Sequence, residues 1–285
     1  MEPRTKEDWD RGQRAIEPIF GTVNPRTVSF EHIDAFYAAV LENRGVSEAY
    51  RAIKHWRRLW RKMAAMGYCD GGADPSQGIR RIAPQARSQV WRRGEVARLV
   101  KDALRLGYSG LACIIAVAWD TQFSPVDVRK LTGDNVAGIN GRLLFRAVRR
   151  EKTGKEIIGT LSKPTARLVT AYLGTIEAAS VNLPLFRHRQ GKPYSKDTLG
   201  DDFRSVREHT FPGDRRVLMD MRRSGAVEAA AGEVDPNSLA AKMGNTINSS
   251  RQLQSTYQPV ELASVLGADE ARIRGRRRIR EANQP

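Results

Sequence analysis

The stretch at residues 109–119 constrains the fold most. From Leu111 to Trp119 it holds nine apolar residues in a row. A membrane span needs about 20, so this run is too short to cross a bilayer. It is also apolar all round, which a helix tolerates only inside a protein. Residues 109–119 are therefore expected to form a buried helix that other elements must enclose. Residues 94–106, just before it, carry the one-sided pattern of an amphipathic helix. Beyond it, Thr121-Gln122-Phe123-Ser124-Pro125-Val126-Asp127 reads as a helix start, with Ser124 as N-cap, Pro125 in the first turn and Asp127 as the acid three residues on. With 285 residues, 40% of them hydrophobic, the chain can bury a sizeable core in one large or two modest domains.

The flanking segments complete a mainly helical pattern. Residues 27–68 read as helical: Ser29 opens a periodic stretch with Ile33, Phe36, Tyr37, Val40 and Leu41 on one face. A second stretch, residues 48–66, sets Ile53, Trp56, Leu59, Trp60 and Met63 on one side. Its other faces carry Arg51, Lys54, Arg57, Arg58, Arg61 and Lys62. Such a face is either solvated surface or a surface laid against phosphates. Clustered cations with few interleaved acids favour the second, with Lys54, Arg57, Arg58 and Arg61 as the contacts. Residues 69–90 are rich in Gly, Pro and Arg and read as a basic linker containing Arg87. Residues 141–149 and 156–161 read as two short strands, with Gly154 suited to the hairpin turn between them. Helices are expected again at 165–179, 195–209 and 220–232. The expected division is a helical, basic N-terminal domain at residues 1–88, with its basic linker at 69–88, and a mixed domain at 89–285 ending in an Arg-rich tail at 272–280. The fold class is mainly α with a small β-sheet.

Charge narrows the partners. Lys and Arg number 48 against 32 Asp and Glu, a formal net charge of +16, which suits a polyanion. The first eight residues are too charged for a signal peptide, so a cytoplasmic protein with no membrane partner is expected. Two distant cysteines and four scattered histidines offer neither a disulfide framework nor metal-ligand spacing.

One ordered set of segments carries chemistry. The helix start at Ser124 precedes a hairpin bearing Lys152-Thr153-Gly154-Lys155. Then come Asp220-Met221-Arg222-Arg223-Ser224-Gly225, a Met243-Gly244-Asn245 turn, and Ser255-Thr256-Tyr257. In this order the chain resembles the tyrosine recombinase (phage integrase) family over about residues 90–260, and more loosely over its basic N-terminal part. The resemblance implies a two-domain clamp on DNA, a helical core-binding domain followed by a mixed α/β catalytic domain. It implies cleavage of a phosphodiester by a tyrosine hydroxyl, giving a 3′-phosphotyrosyl link that a 5′-hydroxyl later resolves, with no cofactor and no metal. It also implies double-stranded DNA as partner, a homo-tetramer on DNA, and accessory DNA-bending or directionality factors.

On this resemblance Tyr257 stands at the nucleophile and Arg222 at the second catalytic arginine. Lys152 stands at the general-acid lysine, with Lys155 as the alternative occupant. Three positions depart from the pattern. Ser124 falls where Thr-Gly-x-Arg places the first catalytic arginine, and Met219 and Asn245 fall where two histidines are usual. Arg129 is five residues on from Ser124, roughly 140° around an ideal helix, and does not simply replace that side chain. One missing charge-stabilising donor typically costs on the order of 10²–10³ in rate. Either the helix N-terminus at Ser124 meets the phosphate, or an arginine from the linker or hairpin (Arg87, Arg149 or Arg150) reaches in. Arg87, Arg149, Arg150 and Lys155 are also candidate DNA contacts. The alternatives are a recombinase-fold DNA-binding regulator without the chemistry, and an unrelated basic protein that binds nucleic acid by charge alone.

Overall fold

The computed structural model describes residues 3–85, 87–139, 141–151, 154–176, 183–232 and 236–244. The chain divides into two compact units, Met1–Ala86 and Arg87–Pro285. In the first, α1 (Pro3–Phe20) packs on α2 (Phe30–Ala65). Ser29 caps α2, its backbone N–H donating to His32 Nδ1 at 3.1 Å. The helix breaks at Gly45, where φ is +78°, so the two periodic stretches become two segments set at an angle. Their apolar faces meet in one core containing Ile16, Ile33, Phe36, Ile53, Trp56 and Trp60. Phe20 closes it from α1, with its ring 4.8 Å from Trp56.

Residues 69–79, read in sequence as the start of a linker, fold back onto α2. Cys69 and Ile79 are buried in the core. The indole N–H of Trp60 donates to the Asp70 carbonyl at 2.9 Å, and that of Trp56 donates to Asp74 at 3.2 Å. Buried indoles need acceptors, and this loop supplies them despite its Gly and Pro content.

The second unit is built around α4 (Ser109–Thr121), buried on nearly every side as its composition demands. Around it lie α3 (Arg93–Arg105), the short α5 (Pro125–Arg129), α6 (Lys163–Leu173), α7 (Lys196–Thr210) and α8 (Asp220–Ala231). A three-stranded antiparallel sheet, in the order β1 (Val136–Ile139), β2 (Arg142–Arg149), β3 (Glu156–Thr160), lays β3 on α4. Finally α9 (Pro236–Met243) rests against β3.

The β2–β3 ladder pairs Phe145 with Gly159 but Val148 with Ile157, so β2 carries one extra residue between them. Ala147 absorbs it at a φ of +52°. Such a bulge switches which residues face the core. Phe145 is inward before it; Val148 is inward after it, and Arg149 is exposed.

Candidate anion site at the hairpin and the end of α9

Gln122 ends α4 in the left-handed conformation, φ +58°. The next residues start α5, capped by Ser124. The Ser124 hydroxyl donates to Asp127 Oδ2 at 2.6 Å, and both side chains are buried. Asp127 Oδ1 accepts the backbone N–H of Glu151 at 3.0 Å, and Oδ2 lies 3.3 Å from Arg150 Nε. A buried carboxylate thus ties the start of α5 to the tip of the hairpin. The Arg150 backbone N–H donates to the Lys155 carbonyl at 3.0 Å, closing the turn.

Arg222 points from α8 toward the same place and is buried. One terminal nitrogen, Nη1, donates to the Gln122 carbonyl at 2.5 Å; the other, Nη2, donates to the Met243 carbonyl at 2.5 Å. Arg150 Nη1 donates to that same Met243 oxygen at 2.6 Å, and to the Gly244 carbonyl at 3.3 Å. Two guanidinium nitrogens on one acceptor are at most about 5 Å apart, where two unit charges repel by about 3 kcal/mol at an effective dielectric of 20. Asp127 offsets part of this from the Arg150 side. The arrangement gathers positive charge on one oxygen atom, and a neutral carbonyl is a weaker acceptor for such donors than an anion.

Gly244 makes the approach possible. It ends α9 at φ +61°, and a Cβ there would run into Ile157 and Arg150. Its N–H donates to the Ala241 carbonyl at 3.0 Å, the local turn that ends α9 beside the two arginines.

The remaining sequence candidates are placed differently. Met219 is exposed just before α8. Arg129 turns to the Tyr194 carbonyl at 3.2 Å. Arg87 is held by buried Asp220, Nη2 to Oδ2 at 2.9 Å, and by the Arg215 carbonyl, and the hydrogen bond to Asp220 raises its pKa. Arg149 and Lys155 are exposed at the hairpin. In the first unit, Arg57 is spent on Ser76 and the Ile79 carbonyl, whereas Lys54 and Arg61 are exposed and Arg58 lies over the Trp9 ring. Lys152, Asn245, Tyr257 and the Arg-rich tail lie outside the described residues. Asp127, Gln122 and Met243 complete the site; sequence marked Asp127 only as a capping acid and gave no sign that the two carbonyls converge. Among the described residues no group of three or more His, Cys, Asp or Glu side chains is placed to hold a metal ion, and no helix is long and apolar enough to cross a membrane.

The fold is that of the tyrosine recombinases. The structure of a lambda integrase dimer bound to a COC′ core site matches with a TM-score of 0.73 at 15% identity, over 92% of this chain and 93% of that one. The Tn1549 transposon integrase in complex with a circular intermediate DNA also gives 0.73, at 12% identity, over 95% and 94%. A lambda integrase tetramer bound to a Holliday junction gives 0.71 at 14% identity, over 86% and 72%. At these identities the shared property is the fold. No family model matches the sequence, and no curated protein matches it either.

Proposed function

We propose that this protein binds duplex DNA and exchanges its strands, cleaving and rejoining them through Tyr257. The observation that carries the reading is the convergence of Arg222 and Arg150 on one oxygen, in a fold shared with solved integrases bound to DNA. The net charge of +16 supports a polyanionic partner. In the proposed reaction the Tyr257 oxygen bonds to phosphorus and gives its proton to water. The bond from phosphorus to the 5′-oxygen breaks, and Lys152 protonates that oxygen as it leaves. The two guanidiniums meet the charge that builds on the non-bridging oxygens. The rejoining step reverses these events with a 5′-hydroxyl from another strand. The protein works as an oligomer on DNA, a tetramer when two duplexes are exchanged, which places it on the nucleoid in the cytoplasm. Both units contribute basic surface to the duplex.

A second reading keeps DNA binding without cleavage. It is favoured by Ser124, whose hydroxyl is engaged by Asp127, and by Met219, which brings no proton donor or acceptor. One experiment separates the two. Duplexes selected by the full-length protein from a random pool are rebuilt as nicked suicide substrates and assayed for a denaturation-resistant adduct. An adduct lost in Tyr257→Phe supports strand exchange. Tight specific binding without an adduct supports the DNA-binding regulator.

A further inference from the structure

We propose that Arg150 is the catalytic arginine that replaces the one absent at Ser124, reaching the scissile phosphate from the hairpin instead of from α5. The inference rests on the strand-cleavage reading above and assigns a residue to that site. Position supports it first. Ser124 Oγ and Arg150 Nε contact the same Oδ2 of Asp127, which holds them at most about 6 Å apart. Arg150 is thus tethered at the residue whose side chain is too short to serve. Arg129, Arg87 and Arg149 are placed otherwise: at the Tyr194 carbonyl, at Asp220, and exposed on β2.

The backbone selects this arginine over its neighbour. Without the extra residue at Ala147, the alternation of β2 would turn Ala147 and Arg149 inward. With it, Val148 and then Arg150 face in, and the Arg150 side chain is 10% exposed.

Orientation is set before any substrate arrives. Asp127 holds the Nε edge while Nη1 is directed at the oxygen that Arg222 also contacts. Fixed donors cost no reorganisation as charge develops. Without DNA the two arginines cap the carboxyl end of α9, a role arginines commonly take. A phosphate oxygen with full charge is the stronger acceptor and displaces the carbonyl. Arg150 transfers no proton and forms no covalent bond.

The test uses the full-length protein, the selected suicide duplexes, and the same duplexes with a neutral methylphosphonate at the scissile position. Arg150→Gln is expected to slow adduct formation on the phosphodiester by on the order of 10²–10³, read at saturating DNA and well below a thermal midpoint that loss of the Asp127 partner lowers. On the methylphosphonate, which builds up less charge, the deficit is expected to shrink to about tenfold or less. An equal deficit on both substrates would make Arg150 a structural cap and overturn the proposal. A wild-type rate in Arg150→Gln would overturn it too, leaving strand cleavage intact. Should Arg150→Gln fail to fold, Arg150→Lys decides. It keeps the charge opposite Asp127 but loses the planar fork, so a rate about tenfold down is expected and a wild-type rate overturns the proposal. An absence of adduct from the wild type itself refutes the strand-cleavage reading, and this inference with it.

Discussion

Removing the Asp127 carboxylate should destabilise the Arg87–Pro285 unit more than any surface change. The side chain is 1% exposed, accepts the Ser124 hydroxyl at 2.6 Å and the Glu151 N–H at 3.0 Å, and pairs with Arg150, whose Nε lies 3.3 Å away. Asp127→Ala leaves a cap without its acceptor, the part-buried Glu151 N–H unmet and a guanidinium without its counter-ion. Breaking a buried pair from one side typically costs about 3–5 kcal/mol. Arg150 keeps its carbonyl acceptors, which argues for the lower half of that range. At about 2–4 °C per kcal/mol for a unit of this size, the midpoint should fall by roughly 6–16 °C. Asp127→Asn retains one acceptor oxygen and should lose about half as much. The measurement is a double-mutant cycle with Arg150→Ala, read by urea unfolding of the full chain. If the pair is coupled as the geometry requires, the double variant should be more stable than the sum of the singles by about 1–3 kcal/mol. Additivity within about 0.5 kcal/mol would show that the carboxylate does not hold the arginine, and would remove the basis for its preset orientation.

Three further outcomes concern the first unit. His55 is buried with Nε2 3.5 Å from Asp8, and burial lowers its pKa despite that carboxylate, helped by nearby Arg58, Lys54 and Arg51. Its folded value lies below the unfolded one, so the unfolded chain takes up the proton first as pH falls. The stability it contributes is complete above about pH 6.5 and declines below it, by up to about 1.4 kcal/mol per pH unit. Calorimetry between pH 7.5 and 5 should show that decline in the wild type and a flatter profile in His55→Gln; identical profiles would rule His55 out as the cause. For DNA binding, Lys54→Gln with Arg61→Gln should reduce the slope of log affinity against log salt by about 1.8 if both side chains meet phosphates, and an unchanged slope would remove that face from the interface. Arg57→Gln should instead lower the thermal midpoint, because its partners are Ser76 and the Ile79 carbonyl.

Much of the fold was legible because its signals are local. The apolar run at 111–119 could only be interior, and α4 is buried along nearly its whole length. Ser29 and Ser124 announced helix starts through side-chain chemistry that acts within three residues, and both cap as expected. Residues 27–68 were read as helical in two periodic stretches, and the backbone breaks at Gly45 between them. Elements whose stability is borrowed from neighbours were not legible. Strand β1 is four residues long, with neither alternation nor aromatic side chains, and exists because β2 offers it a ladder. Helix α1 carries many charges and a proline at position 18, and it is held by Ile16 and Phe20 against α2. The Gly and Pro of residues 69–79 suggested a free linker, whereas the indoles of Trp56 and Trp60 require the acceptors that this loop provides.

The site divides along the same line. Arg222 was readable from its stretch, since its place near the start of α8 follows from sequence order. Arg150 stood in sequence as one of three arginines able to reach inward, and nothing local ranked it above Arg149. The choice depends on a single backbone feature, the extra residue at Ala147, whose effect appears only when β2 is laid beside β3 and counted against it. It depends again on Gly244, whose lack of a Cβ lets the end of α9 approach the hairpin. A motif search that looks for an arginine three residues after Thr121 finds Ser124 and scores a loss. The physical requirement is looser: a guanidinium near that point, fixed by a buried carboxylate and sharing an acceptor with Arg222. Any chain position that meets it would serve, so a missing motif residue is evidence of lost chemistry only after the neighbouring strands have been counted.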